Sequence, residues 1–474
     1  MELSKLTLKC VLERSVKLYP AKKSLSWADE KPMRLNEFYE QVCEIQDALT
    51  QEGISKGDKI ALLSENQPNW GIVYFAVTTM GAIIVPILPD FREHEIHHIL
   101  RQAECKAIFV SQKQFSKVEE FNPEALILKY LLDDFSIIPL KTTIAKFKNT
   151  ISRKTQPFFK LKDKALEFTG LKALAVQEDD IASIIYTSGT TGHSKGVMLT
   201  HKNIVFDALA MSSIHQVKSS DVYISVLPLS HTYECTTGLI LAIMNGSTVY
   251  YLRKLPTARV LLPAMQKYKP TMMITVPLII EKIYKFKIKP SLTSSALGRA
   301  LFAIPMFRKI LHKIAGKKLY KSFGNNLKFF GIGGALLSPE VERFLIDCNF
   351  PYAIGYGLTE TSPLIAGSGP NKTKFRSTGW IPPGIKVRIA NKDPKTGEGE
   401  IETIGANVMK GYYKDPDRTK EAFTEDGWFR TGDLGCFDKD GYLYIKGRSK
   451  NVIVGPSGEN VYPEEIEAKI NKHP

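Results

Sequence analysis

Apolar and polar positions along this chain follow two periods, and the switches between them outline its architecture. In LNEFYEQVCEIQDAL the residues Phe38, Val42, Ile45 and Leu49 recur at helical spacing. KIALLSEN then reads as a strand running into a turn, NWGIVYFAVTTMGA as a second helix and AIIVPILP as a second strand. After another helix, ECKAIFVSQ completes the series. Strands alternating with helices predict βαβ units and a parallel sheet. A second set, VYISVLPLSH, STVYYL, TMMITVP, LKFFGIGGA and PYAIGYGL, brackets a glycine-rich loop and predicts a second parallel sheet. The polar, basic stretch 136–175 reads as a surface excursion between the two. Beyond about residue 376 the rhythm shortens. GIKVRIAN, GEIETIG and GYLYIKGR are strands parted by Gly, Asp and Asn turns, which suits a small antiparallel β-barrel-like unit. The expected fold class is α/β: two parallel-sheet α/β subdomains over about 1–375 and the small β subdomain over about 376–447.

Within this frame YTSGTTGHSKG, Tyr186 to Gly196, is the most informative segment. The mostly apolar, β-branched run Ile181 to Ile185 before it predicts a buried strand that opens into a hydroxyl-rich turn. Glycines let backbone approach a ligand closely, and N–H groups and hydroxyls lining a concavity suit phosphate oxygens. Lys195 adds a mobile positive charge. The loop is not a Walker motif, because Gly189 and Gly192 are only three apart and Gly196 follows the lysine.

Composition narrows the class. At 474 residues the chain divides into subdomains, and 43% hydrophobic with 24% charged residues is ordinary for a globular enzyme. Six scattered cysteines without a CxxC argue against a disulfide scaffold or zinc knuckle and fit a reducing cytosol. In EHEIHHI, His94 and His98 have the spacing to share a metal, although a solvated helix face is the simpler reading. MELSKLTLKC lacks the apolar core of a signal peptide, and no run reaches the ~18 apolar residues of a membrane span. The expectation is a cytoplasmic protein, soluble or peripheral at the inner face of the membrane. The net charge of +15 is uneven: residues 282–339 hold twelve Lys/Arg and no acid, and 136–162 hold seven and no acid. FRKILHKIAGKKLYKSF interleaves Phe307, Ile310, Leu311, Ile314 and Leu319 with basic residues. That pattern suits an anionic membrane surface over 282–328, or an ordinary solvated helix. No nucleic-acid-binding motif accompanies it.

Five further segments carry candidate chemistry. LPLSHTYE reads as a strand end placing His231 at a sheet's C-terminal edge. GIGGALLSP is a strand, then glycines, then a helix, where a flat base could pack on backbone at Gly333, Gly334 and Ala335. GYGLTETSP offers Tyr356 as an aromatic face and Thr359 and Glu360 as polar tips. GWFRTGDLG reads as presenting Asp433 from a turn, and IKGRSKNVIVGPSGENVYPEEIE offers Arg448 and Lys450. Each alone has a dull account: a satisfied core histidine, core packing, a helix-start acid, a turn residue, half an ion pair. In this order after the glycine-rich loop, they resemble the motifs of the acyl-adenylate-forming enzymes across essentially the whole chain.

The resemblance implies roles. Thr187, Ser188, Gly189, Thr190, Thr191, Gly192 and Lys195 would embrace ATP phosphates; Gly333, Gly334, Ala335, Tyr356 and Gly357 would hold adenine; Asp433 and Arg448 would take the ribose. Thr359 would touch the α-phosphate, Glu360 with Thr187 would hold Mg²⁺, His231 would line the passage between acyl and nucleotide sites, and Lys450 would be the hinge. Lys195, His231, Thr359 and Glu360 are the implied catalytic residues. The implied reaction activates a carboxylic acid with ATP, releases pyrophosphate and transfers the acyl group to coenzyme A. PLSHTYE and the DGWFRTGDLGCFDKDGYLYIKGRSK block resemble the long-chain fatty acyl branch. A ligase loading an acyl carrier protein and a non-catalytic nucleotide- or acyl-binding protein are the alternatives. Only 24 residues follow Lys450, so the family's C-terminal domain is expected to be represented by its first residues, 451–474, and turnover by this chain to be poor.

Overall fold

The computed structural model describes residues 3–140, 175–187 and 194–448, with the backbone of the short strands Ile453–Val454 and Asn460–Val461. Ser188, Gly189, Thr190, Thr191, Gly192 and Lys450, and the side chains of 451–474, lie outside the described residues.

The first βαβ series folds as expected. Strands Lys59–Leu63, Ile83–Ile87, Ala107–Val110 and Leu128–Leu131 run parallel. Their apolar runs are buried on both faces, as crossover helices require. The glycine-rich loop belongs here rather than inside the second set. Its strand, Ile181–Thr187, pairs parallel with Ile83–Ile87 and antiparallel with Lys195–Thr200, so the loop tips a β-hairpin at one side of this eight-stranded sheet. Gly411–Tyr412 adds the edge strand beyond the hairpin. The 136–175 stretch begins as a strand, Ile137–Ile138, and residues 141–174 are outside the described part.

The second set forms a seven-stranded sheet in the order Leu25–Trp27, Thr248–Tyr251, Val222–Ile224, Met272–Thr275, Phe329–Ile332, Tyr352–Gly357 and Leu364–Ser368. Its pairs are parallel except the last, which is antiparallel. One apolar core joins the facing sides of both sheets through the helices Leu8–Leu18, Leu35–Gln51, Pro68–Thr79 and His201–Ile214. Pro68–Thr79 is buried nearly all round, since it is sandwiched between sheets. Separate cores cover the outer faces, one under Glu93–Gln102 and one under Pro305–Ser322 and Pro339–Asp347. The result is five layers, helix and sheet alternating.

The small unit is an open antiparallel sheet of Ile385–Ala390, Gly399–Gly405, Phe429–Phe437 and Leu443–Arg448, without closure into a barrel among the described residues. Asp433 sits inside its third strand and not on a turn, directly opposite Arg448. Phe429 and Leu443 bury the inward face while Arg430 points out, the alternation of a half-buried strand.

Candidate active site

Three separate stretches converge beside the hairpin. Lys195 opens its return strand, Glu360 lies in the turn Thr359–Thr361 just after the strand Tyr352–Gly357, and Tyr412 comes from the edge strand. Lys195 Nζ donates to Glu360 Oε1 at 2.8 Å and to the Tyr412 hydroxyl at 2.8 Å. The Tyr412 hydroxyl donates to the same Oε1 at 2.9 Å. Burial first, and the neighbouring Glu360 charge second, push Tyr412 well above the ordinary tyrosine range, so the phenol keeps its proton and remains a donor. Both donors fall on Oε1, and Oε2 accepts no hydrogen bond from any described residue. Thr187, at the other foot of the hairpin, has a buried hydroxyl with no partner among the described residues.

The turn carrying Glu360 is stitched from behind. Asn407 Nδ2 donates to the carbonyls of Thr361 and Leu364 at 3.2 and 2.7 Å, and Ser362 Oγ donates to the Asn407 carbonyl. Met409 N–H donates to the Glu360 carbonyl. Asp207, fully buried, accepts from Leu364 N–H at 2.9 Å, and burial pushes its carboxyl well above the usual range. Gly357 lies under this turn where a Cβ would stand 1.7 Å from the Pro363 carbonyl oxygen.

A second group faces the small sheet. Tyr356 donates its hydroxyl to Asp433 Oδ2 at 2.7 Å, and Arg448 Nε stands 3.4 Å from Asp433 Oδ1. Gly333 is buried against the Tyr233 ring, while Gly334, with φ +83°, and Ala335 are exposed. This is an open ledge of backbone between the strand Phe329–Ile332 and the helix Pro339–Asp347. Thr359 precedes Glu360 and is partly exposed.

His231 stands at the start of a helical run, not at a strand end; the nearest strand ends at Ile224. Its ring is exposed, yet crowded by protein on most sides. That crowding lowers its pKa, against the opposing Asp90 charge. No described hydrogen bond or ion pair joins it to the Lys195 group. His97 of the EHEIHHI helix stacks on Phe121 at 3.9 Å, and no metal-binding cluster occurs among the described residues.

The run after His231, the π-helical Glu234–Ile240 continued by Leu241–Asn245, walls an apolar cavity that is partly open to solvent. Tyr233, Thr237 and Leu241 line one side, Met211 and Ile214 a second, and Phe329, Gly331 and Gly355 the sheet side. Among the described residues that line it there is no carboxylate. His215 and Phe329 meet at 4.9 Å between ring centres. A Cβ on Gly331 would lie 2.6 Å from the Tyr233 hydroxyl and 2.7 Å from the Phe329 ring, so only glycine leaves this space open.

Of the residues singled out in the sequence, the structure joins Lys195 to Glu360, and separately Tyr356, Asp433 and Arg448. The sequence reading missed Tyr412, Asn407 and Asp207. The apolar-glycine run before Tyr412 hints at a short strand, but its pairing with Val197 has no local signal.

Comparison with known proteins identifies the family and the fold. The family profile described as AMP-binding enzyme matches residues 12–413. The long-chain-fatty-acid–CoA ligase FadD15 of Mycobacterium bovis is 30% identical over 446 residues, covering 89% of this chain and 70% of that protein. The chloroplastic long-chain-fatty-acid–[acyl-carrier-protein] ligase AEE15 of Arabidopsis thaliana is 27% identical over 508 residues, covering 92% and 69%. In fold, the anthranilate CoA ligase AuaEII with anthranoyl-AMP superposes with a TM-score of 0.78 at 20% identity, covering 99% of this chain and 82% of that one. ATP-bound MatB of Rhodopseudomonas palustris gives 0.77 at 24% identity, covering 99% and 84%. This chain belongs to the AMP-binding enzyme family, the acyl-adenylate-forming ligases.

Proposed function

We propose that this protein activates a long-chain fatty acid as its adenylate, with ATP as the nucleotide and coenzyme A as the acceptor. The observation that carries the reading is the apolar, carboxylate-free cavity whose sheet wall, Gly331 and Gly355, borders the Gly333–Ala335 ledge. An amino-acid substrate would need an acidic partner for its ammonium group, and the described lining residues offer none.

In this reading the acid's own carboxylate is the nucleophile, so the protein aligns it and neutralises charge that builds on phosphate oxygens. Lys195 meets the phosphates from the hairpin, with Thr187 offering a hydroxyl that has no partner among the described residues. Gly333, Gly334, Ala335 and Tyr356 hold adenine. Asp433, kept in place by Tyr356 and Arg448, accepts from the ribose hydroxyls. The residues fit Mg²⁺: among the described residues Glu360 Oε2 has no partner while Oε1 takes both donors, and the buried Thr187 hydroxyl has none. The ion, when bound, supplies positive charge at the phosphates. His231, held below its ordinary pKa, meets the substrate as a neutral ring at physiological pH.

A thermal-shift series with non-hydrolysable acyl-adenylate analogues of increasing chain length tests the reading, since a ligand of the native state raises its melting temperature. Stabilisation should grow towards long chains. A maximum at acetyl, or stabilisation by aminoacyl analogues alone, would overturn it. Product analysis with coenzyme A and with an acyl carrier protein then separates the two acceptors that the relatives use.

A further inference from the structure

Eight of the fourteen large hydrophobic side chains that stand exposed among the described residues fall between Leu278 and Ile314. Single exposed apolar residues are normal, but such crowding marks a contact surface. Phe286, Leu297 and Met306 are 69%, 70% and 65% exposed. The helix Ala296–Ala303, ALGRALFA, has one charge and no buried residue at all. In the next helix, Pro305–Ser322, the sides divide cleanly. His312, Ala315, Gly316 and Leu319 are buried, with His312 Nδ1 held 2.8 Å from Asp347 Oδ2. Ile310 and Ile314 lie one turn apart on the side turned outward. Beside them Lys309, Lys313 and Lys317 form an exposed row with no carboxylate partner among the described residues.

We propose that the helices between Pro277 and Ser322 dock this protein on an anionic phospholipid bilayer, apolar side chains entering the interface and lysines meeting the headgroups. This goes beyond the catalytic reading and does not depend on it. Charge chooses the occupant: no acid occurs from 282 to 339 while twelve Lys/Arg do. A second copy would set this surface against itself, like charge on like charge. A nucleic acid would use the lysines but leave Phe286, Leu297 and Met306 in water. A bilayer of anionic lipid satisfies both sets. The first helix, Pro277–Ile283, starts beside the Gly333–Ala335 ledge: a Cβ on Gly334 would meet the Val276 side chain at 3.6 Å, and Glu281 Oε1 accepts from Ser338 N–H at 2.7 Å. Docking would therefore bring lipid beside the rim of the site.

Vesicle flotation tests the proposal, with phosphatidylcholine alone and with phosphatidylcholine containing phosphatidylglycerol. The purified chain should float with the anionic vesicles at least about tenfold more than with neutral ones. Phe286→Ser/Leu297→Ser/Met306→Ser and Lys309→Glu/Lys313→Glu/Lys317→Glu should each lower the bound fraction about tenfold, with melting temperatures unchanged because every altered side chain is exposed. Equal flotation on both vesicles would overturn the proposal. So would an apolar triple variant that floats like the parent, which would leave only electrostatic adsorption of the kind any polyanion gives. A concentration-dependent dimer in light scattering that the apolar variant abolishes would assign the surface to a second copy instead.

Discussion

Lys195, Glu360 and Tyr412 close a triangle of hydrogen bonds with edges of 2.8, 2.8 and 2.9 Å. Two of its corners were legible in the sequence because each sits in a dense local motif. Tyr412 was not, because it lies 217 residues from Lys195 and only strand pairing delivers it. Tyr412→Phe keeps the ring beneath the ammonium and removes two edges. With a hydrogen bond to a charged group contributing about 1.5–3 kcal/mol, ATP–pyrophosphate exchange should fall about tenfold or more. Glu360→Gln removes the charge as well and should fall further. Exchange unchanged in Tyr412→Phe would show that the triangle does not serve the nucleotide site. Glu234 is buried beside the Ser225 hydroxyl. Burial pushes its carboxyl up to about 8, against the pull of the Ser225 hydroxyl and the Leu227 N–H. The folded chain then holds a proton there that the unfolded chain releases above its ordinary value of 4.5. Folding takes up a proton between those values, so this group makes stability fall as pH rises through that window and stay flat above it. Glu234→Gln should flatten the decline in melting temperature from pH about 5 to about 8, a difference on the order of a few kcal/mol at the upper end. An unaltered slope would mean that Glu234 is ionised in the fold.

Elements were legible where one physical requirement dominates. Strands buried on both faces must be apolar, so the runs around Lys59–Leu63, Ile83–Ile87 and Met272–Thr275 announced themselves. Leu128–Leu131 did not, because LKYL carries a lysine into the sheet. That lysine is buried, donates to the carbonyls of Val118 and Glu119, and is pulled down to about 8 by desolvation. Asp433 was read onto a turn from the glycines around it; Gly432 has φ +72° and Gly435 sits where a Cβ would meet the Tyr444 carbonyl oxygen at 2.4 Å, so these glycines serve an irregular strand. The cavity wall is also an element property, set by how closely the Tyr233 helix approaches the strand Phe329–Ile332. Gly331→Ala would put a methyl between them. Overpacking of that size costs about 1–3 kcal/mol. The melting temperature should drop modestly, and the stabilisation by long acyl-adenylate analogues should vanish while that by ATP persists. Loss of both together would mean a disturbed sheet, and retention of both would place the acyl chain elsewhere.

Across the whole molecule, the segment Ala406–Tyr413 stitches the three larger sheets together. It leaves the small sheet and is gripped by Asn203 Nδ2 at the carbonyls of Ala406 and Val408, both at 2.8 Å. Asn407 reaches the turn between the last two strands of the second sheet, and Lys410 and Tyr413 N–H bond to Met198 and Gly196 on the first. Periodicity along the chain predicts sheets but is silent on such cross-links, which is why the fold was legible and its central fastening was not. Asn407 is fully buried, and both carbonyls it meets need a donor. Asn407→Ala leaves two acceptors unpaired and should cost about 1–3 kcal/mol. Asn407→Asp sets a carboxylate against those carbonyls in a buried site and should cost more despite its near-identical shape. Because Asn407 also fixes the turn bearing Glu360, both variants should weaken stabilisation by ATP with Mg²⁺, read as a smaller ligand-induced rise in melting temperature. An aspartate variant as stable as the parent would mean that donation by Asn407 is not what holds the turn. A full ligand response in the destabilised alanine variant would separate the fastening of the fold from the nucleotide site.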